Sequence, residues 1–302
     1  TKWIDVIFPP AAMGAIIAVI GLELAPVAAN MAGLTGDNIN MVNVAISMFT
    51  LAVGVIGSVA FRGFMSIIPI LFGVVCGYVF AAIMGIVNFQ PVIDAPWFQV
   101  PHFYAPVFDI NAIMIIAPAA LVVLAEHIGH LVVTGNIVDR DLIKDPGLSR
   151  SLFADGLSNV ISGFAGATPN TTYGENIGVM AITKVYSTWV IGGAAVMAII
   201  LSFCGKLSEL IHSIPVPVMG GICILLFGVI AASGIRVLVE RQVDYSKSSN
   251  LVMTSVIMII GLSGAKLSFG AFSVQGMVLA TVVAIIMSLA FKLFEYLHLL
   301  NE

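Results

Sequence analysis

Long apolar runs separated by short polar stretches dominate the chain, and the runs approach the length a helix needs to cross a bilayer, about 20 residues. Such runs are predicted at residues 6–29, 44–60, 65–86, 110–133, 152–167, 188–204, 216–235, 251–262 and 276–293. One stretch breaks the pattern. Residues 165–184 begin polar and extended, with Pro169 and three threonines, then turn at Gly174 into an apolar run that starts with Glu175. Backbone in hydrocarbon must satisfy its own hydrogen bonds, so irregular backbone is tolerated there only when buried in protein or lining a cavity. A broken helix with a carboxylate at the break is therefore a candidate substrate site.

With residues 171–182 counted as a crossing, the chain has about ten membrane elements, two or three of them short for a full span. Residues 87–108 form a long loop rich in Pro, Trp and Phe, which suits a membrane–water interface. With the N-terminus in the cytoplasm and sides alternating, Lys2, Arg62, Arg140, Lys144, Arg150, Lys184, Arg236, Arg241, Lys247 and Lys292 all fall inside. Lys206 and Lys266 fall outside. This is the bias of the positive-inside rule, and it holds only if the broken element is a crossing.

Composition narrows the class further. The 302 residues are 60% hydrophobic and 9% charged, with mean hydropathy +1.09. A soluble domain averages about 25% charged residues, so a soluble globule is excluded. The net charge of −4 offers no basic face for nucleic acid. Cys76, Cys204 and Cys223 lie far apart in apolar runs and read as small packing residues. They give no disulfide framework or metal spacing.

A short repeat is also present. Phe8-Pro9-Pro10-Ala11-Ala12-Met13-Gly14-Ala15-Ile16 and Ile214-Pro215-Val216-Pro217-Val218-Met219-Gly220-Gly221-Ile222 both read apolar-Pro-x-x-x-Met-Gly-small-Ile and both open an apolar helix. The topology starts one inside and the other outside, as an inverted repeat requires. Too few elements precede the run at residue 110 for two equal halves, so about four more are expected ahead of Thr1. The opening Thr-Lys-Trp, without Met or a signal-peptide pattern, fits that expectation.

Ionisable residues inside such runs are costly and face a cavity or one another. Glu126 and His130 are four apart and share a helix face. His127 points elsewhere and reads as a packing or interface residue. Glu175 stands at a helix N-terminus, where free N–H groups and a carboxylate make a mixed donor and acceptor surface. That surface suits a flat neutral ring with N–H and C=O edges, such as a pyrimidine dione. An anion is disfavoured by two acids, and a metal cation by the N–H groups. Two acids and a His point to a proton as the coupling ion. Asp155 and Asn159 share a face and are placed to brace the broken element. Glu23, in the first run, reads as a cap or a gate-lining residue. No His-Glu-x-x-His motif, Cys cluster or nucleophile elbow supports a metal site or an intramembrane enzyme.

The stretch Glu175-Asn176-Ile177-Gly178-Val179-Met180-Ala181-Ile182-Thr183-Lys184 resembles the signature of the nucleobase–ascorbate transporter family. That signature is an acid or amide, Asn-x-Gly, four residues, then Thr and a basic or small residue. Ala125-Glu126-His127-Ile128-Gly129-His130 resembles the family's substrate helix. With Glu at the first signature position and His four after the helix Glu, the pattern is similar to the bacterial uracil–proton symporters. The purine branch tends to carry Gln and Asp at those positions.

The resemblance implies an all-α polytopic membrane protein, part of a fold of two inverted seven-segment repeats. The chain would hold segments five to fourteen, and the first four would lie ahead of Thr1. Residues 1–95 would form the first half of a gate domain, 105–205 the second half of a core domain, and 206–302 the second half of the gate. Carried over by position, Glu126 and Glu175 accept hydrogen bonds from ring N–H groups, and the backbone at Tyr173 and Gly174 meets a carbonyl edge. His130 joins Glu126 in a proton relay. Thr171, Thr172, Asn176, Gly178 and Thr183 support the broken helix. Residues 171–174 would form a short strand whose mate lies in the third segment.

The function implied is proton-coupled uptake of uracil by alternating access in the bacterial cytoplasmic (inner) membrane, with no cofactor and no metal. The partners are uracil or a related nucleobase, the lipid bilayer and a second copy of the chain as a homodimer. A purine or xanthine permease is the alternative, and a sulfate-type anion carrier of related architecture stands behind it.

Overall fold

Apolar segments with no water to bond their backbone satisfy it within themselves, as helices. The structure, a computed structural model, describes residues 6–36, 39–117, 119–269 and 272–299, and it is mostly helical. Helices α1 (Pro10–Glu23) and α2 (Ala25–Met31) share the first apolar run, and α3 (Met41–Ala60) fills the second. The third is a 3-10 turn at Gly63–Ile67 followed by α4 (Pro69–Ile83). A short α5 (Gln90–Asp94) lies in the aromatic loop. The fourth run divides into α6 (Ile110–Ile116) and α7 (Ala119–Val138), and α8 (Leu148–Phe164) follows.

The broken element is α9 (Gly174–Thr183). The remaining helices are α10 (Thr188–Leu201), α11 (Gly205–His212), α12 (Val216–Glu240), α13 (Ser248–Leu262) and α14 (Gly276–Tyr296). Among the described residues, the spans Pro10–Met31, Met41–Ala60, Val216–Glu240 and Gly276–Tyr296 are long and apolar enough to cross a membrane. Pro69–Ile83, Thr188–Leu201 and Ser248–Leu262 are apolar but shorter.

Two differences from the sequence reading stand out. Residues 171–173 belong to neither helix nor strand, and the helix begins at Gly174. A strand needs a backbone partner for its ladder, and no described segment supplies one there. A strand pair does occur elsewhere: β1 (Lys266–Phe269) and β2 (Phe272–Gln275) pair antiparallel between α13 and α14, with Lys266 opposite Gln275 and Leu267 opposite Val274.

The chain packs as two compact units. The first comprises Thr1–Leu24, Tyr104–Ile177 and Gly228–Glu302. Its centre is α1, whose residues from Ala11 to Gly21 are all buried. A helix apolar on every side belongs in the middle of a bundle, and α7, α13 and α14 pack around this one. Small residues set the closest approaches. A Cβ on Gly234 would stand 2.6 Å from the Gly14 carbonyl oxygen and 2.7 Å from the Ala18 Cα. On α7, a Cβ at Gly129 would stand 3.2 Å from Ile17.

Glu23 closes α1 and accepts a 2.7 Å hydrogen bond from the Met277 backbone N–H. It therefore caps the open N-terminus of α14, which enters through Gly276 at φ +54. That assigns Glu23 a capping role. The charged loop before α8 is tied by Arg140–Asp145 at 3.0 Å and Lys144–Asp141 at 2.9 Å. The Lys144 ammonium holds the exposed Asp141 carboxyl below its usual range, and such exposed pairs add little stability.

The second unit comprises Ala25–Phe103 and Gly178–Phe227. Its core is the α3–α4 pair, with Ile46, Ala81 and Val218 buried together. Buried hydroxyls bond backbone carbonyls within the apolar surroundings: Ser47 donates to Ala32 at 2.7 Å and Thr50 to Ile46 at 2.8 Å. The aromatic loop is fastened to the start of α11. Gln99 N–H donates to Phe203 at 2.9 Å, Phe98 stacks on Phe203, and Lys206 donates to the Val92 and Ile93 carbonyls at 3.1 and 3.0 Å.

Candidate functional site

The polar residues that the sequence places in membrane runs gather in the first unit, where α7, α8 and the entry to α9 meet. Helical spacing puts Glu126 and His130 on one face of α7. The His130 Nε2 stands 4.0 Å from Glu126 Oε1, and the two side chains are 19% and 21% exposed, respectively. The other ring nitrogen, Nδ1, is hydrogen-bonded to Thr172 Oγ1 at 2.8 Å. His130 thus links the carboxylate on its own helix to the irregular segment ahead of α9. Gly174 lies against the same ring: a Cβ there would be 2.8 Å from Nε2. The imidazole is thus hydrogen-bonded to the hydroxyl and faces the carboxylate across a 4.0 Å gap, which is beyond direct hydrogen-bond reach.

The entry segment brings Thr171, Thr172, Tyr173 and Gly174 into sequence before the helix. Thr171 Oγ1 is buried and has no hydrogen-bond partner among the described residues. The Tyr173 side chain is exposed, and its carbonyl accepts from Asn176 N–H at 3.2 Å to start the helix. The backbone of Glu175 lies in α9, and its side chain lies outside the described residues. Asn176 is exposed, a Cβ on Gly178 would meet open space, and Thr183 Oγ1 accepts a 3.4 Å bond from Val185 N–H at the far end of the helix. Of the supporting residues named from sequence, Thr172 is the one brought to the Glu126–His130 pair.

His127 turns away from this face, as its spacing predicts. It is buried, with Nε2 2.7 Å from Ser151 Oγ and Nδ1 3.8 Å from Asp155 Oδ2, so it binds α7 to α8. Asn159, one turn beyond Asp155, braces the broken element through Asn170. Its Oδ1 accepts from Asn170 N–H at 2.8 Å, and its Nδ2 donates to Asn170 O at 2.9 Å. Ser158 and Ser162 add 3.3 Å bonds to the Asn170 side chain. Asn170 and the two serines escaped the sequence reading. The signal was present as a polar stripe of Asp155, Ser158, Asn159 and Ser162 at helical spacing.

Among the described residues no three His, Cys, Asp or Glu side chains gather at a point where they could hold a metal ion.

Comparison with known proteins bears on the same chain length. A family model described as "Permease family" matches residues 1–270. The chain is 64% identical over 301 residues to the uracil permease of Escherichia coli (strain K12), covering 99% of this chain and 70% of that protein. It is 60% identical over 308 residues to the uracil permease of Paenibacillus larvae, covering 100% of this chain and 73% of that one. The uracil permease of Bacillus subtilis (strain 168) is 46% identical over 302 residues, with 96% and 69% covered. Matched along nearly its whole length, and with apolar helices that suit a multi-pass protein of the bacterial inner membrane, the chain belongs to the nucleobase–ascorbate transporter family and is a permease, not an enzyme.

Proposed function

We propose that this protein takes up uracil across the cytoplasmic membrane, coupled to a proton. The observation that carries the reading is the Glu126–His130–Thr172 cluster, a carboxylate 4.0 Å from an imidazole that is hydrogen-bonded to the segment opening α9. Relatives at 64% and 60% identity are named uracil permeases. A uracil ring presents two N–H groups and two carbonyl edges. Glu126 accepts from one N–H, Glu175 from the other, and the backbone N–H groups at the start of α9 meet a carbonyl. Because His130 bonds the entry segment and stands 4.0 Å from Glu126, a proton held there and a substrate held there alter one another's affinity.

Transport then proceeds by alternating access, a core moving against a gate within an inverted-repeat fold. Residues 105–205 supply core and the flanking stretches supply gate. Residues 171–174 form a strand when their mate is present, and gate segments of two copies pack as a homodimer. Uptake of labelled uracil into cells making the protein tests the substrate. Excess unlabelled uracil is expected to compete fully and excess unlabelled xanthine to leave uptake unchanged; competition by xanthine alone would overturn the uracil reading in favour of a purine permease.

A further inference from the structure

Asn159 does more than fill space beside the site. Its side-chain amide meets both backbone groups of Asn170, accepting from the N–H at 2.8 Å and donating to the carbonyl at 2.9 Å. Exchange of both bonds with one residue is what a neighbouring antiparallel strand does at a hydrogen-bonded pair. Here a side chain on α8 makes that exchange in place of a strand. The same Nδ2 also donates to the Asp155 carbonyl at 3.1 Å, which holds the amide against its own helix.

The Asn170 side chain is secured in turn by Ser158 and Ser162. Two residues further along, Thr172 reaches His130, and four further along Gly174 lies against the same ring. The irregular segment between α8 and α9 is therefore anchored at Asn170 and reaches His130 within half a turn's length of chain.

We propose that Asn159 is a positioning residue for substrate: its two-bond grip on the Asn170 peptide sets where Thr172, Tyr173 and Gly174 stand relative to Glu126 and His130, and so sets uracil affinity. This rests on the uracil reading above. Sites of this kind lose affinity steeply when the supporting residues let the binding backbone drift. Asn159 touches neither the relay nor the position assigned to the ring, and acts only through Asn170.

The test exploits what an amide and a carboxyl share. Asn159→Ala removes both bonds and is expected to weaken uracil binding about tenfold. Asn159→Asp keeps the shape. Ionised, it still accepts from the Asn170 N–H but sets a negative oxygen against the Asn170 carbonyl. Uracil affinity of each variant is measured at pH 7.5 in the detergent-solubilised or membrane-embedded protein, and the half-saturating uracil concentration and maximal rate of uptake are measured in cells at the same pH.

The expected result is an Ala variant about tenfold weak at pH 7.5 and an Asp variant at least as weak, because a carboxyl with an ordinary value of about 3.9 is ionised there, with the maximal uptake rate of both near that of the wild type. Normal elution on size exclusion identifies variants that still fold. Wild-type affinity in both variants would overturn the assignment, as would normal uracil affinity with a lost maximal uptake rate. Failure of the unsubstituted protein to bind uracil would overturn the uracil reading itself, and this assignment with it.

Discussion

Replacing Glu126 by Gln is expected to weaken uracil binding by about a hundredfold while leaving the protein folded, since bonds to a charged group contribute about 1.5–3 kcal/mol each and 1.4 kcal/mol is a factor of ten. The side chain stays the same size. What goes is a carboxylate that accepts from a ring N–H and sits 4.0 Å from the His130 ring. Gln presents an NH2 group in place of one acceptor oxygen, so part of the polar edge is mismatched whichever way the amide turns. A mismatched polar group in a site shielded from water is more costly than one on a surface. The packing of α7 should persist, because Ile128, on another face, and the close approach of the Gly129 backbone to Ile17 carry its contacts with the core. Equilibrium uracil binding together with thermal unfolding of the variant checks both halves of the statement. Wild-type affinity in Glu126→Gln would remove the carboxylate from the site.

Gly174→Ala is expected to weaken uracil binding about tenfold or more through His130 rather than through the backbone. A Cβ at position 174 would stand 2.8 Å from His130 Nε2, a distance real Cβ contacts essentially never show. The ring has to swing, and in swinging it loosens the 2.8 Å bond from Nδ1 to Thr172. Glu126, 4.0 Å from Nε2, then loses its fixed neighbour. Ala favours helix more than Gly does, so the variant should not unfold at this helix start. The origin of the effect is checked by a double-mutant cycle with His130→Ala. If the ring is the obstacle, adding Gly174→Ala to His130→Ala costs nothing further. Additive losses would place the fault in the backbone instead.

Most of the helical architecture was legible in the apolar pattern, because a bilayer leaves the backbone few alternatives. Runs predicted at 44–60, 188–204 and 276–293 became Met41–Ala60, Thr188–Leu201 and Gly276–Tyr296. The differences are three residues at one end of each, where helix boundaries are least defined. The hairpin at residues 266–275 was missed, although Leu267, Phe269, Phe272 and Val274 alternate with polar or small residues around Gly270-Ala271. Its strands are four residues long, too short to stand out beside runs of helical length.

At the site, i,i+4 spacing sufficed to pair Glu126 with His130 and to turn His127 aside. It also gave Asn159 a bracing role. The partner of that brace, Asn170, lies eleven residues on in an irregular segment, and local spacing cannot predict such a contact. The expected strand at 171–174 illustrates the same point. Extended backbone becomes strand only when something pairs with it, and here the grip on Asn170 comes from a side chain.

The central claim is that a uracil and a proton cross together through the Glu126–His130 site. The most direct test places the protein in proteoliposomes with a pH-sensitive dye inside and adds uracil outside in the absence of an imposed gradient. The account predicts that uracil entry acidifies the lumen, and that Glu126→Gln abolishes both the entry and the acidification. Uracil entering with no change in lumenal pH would contradict it.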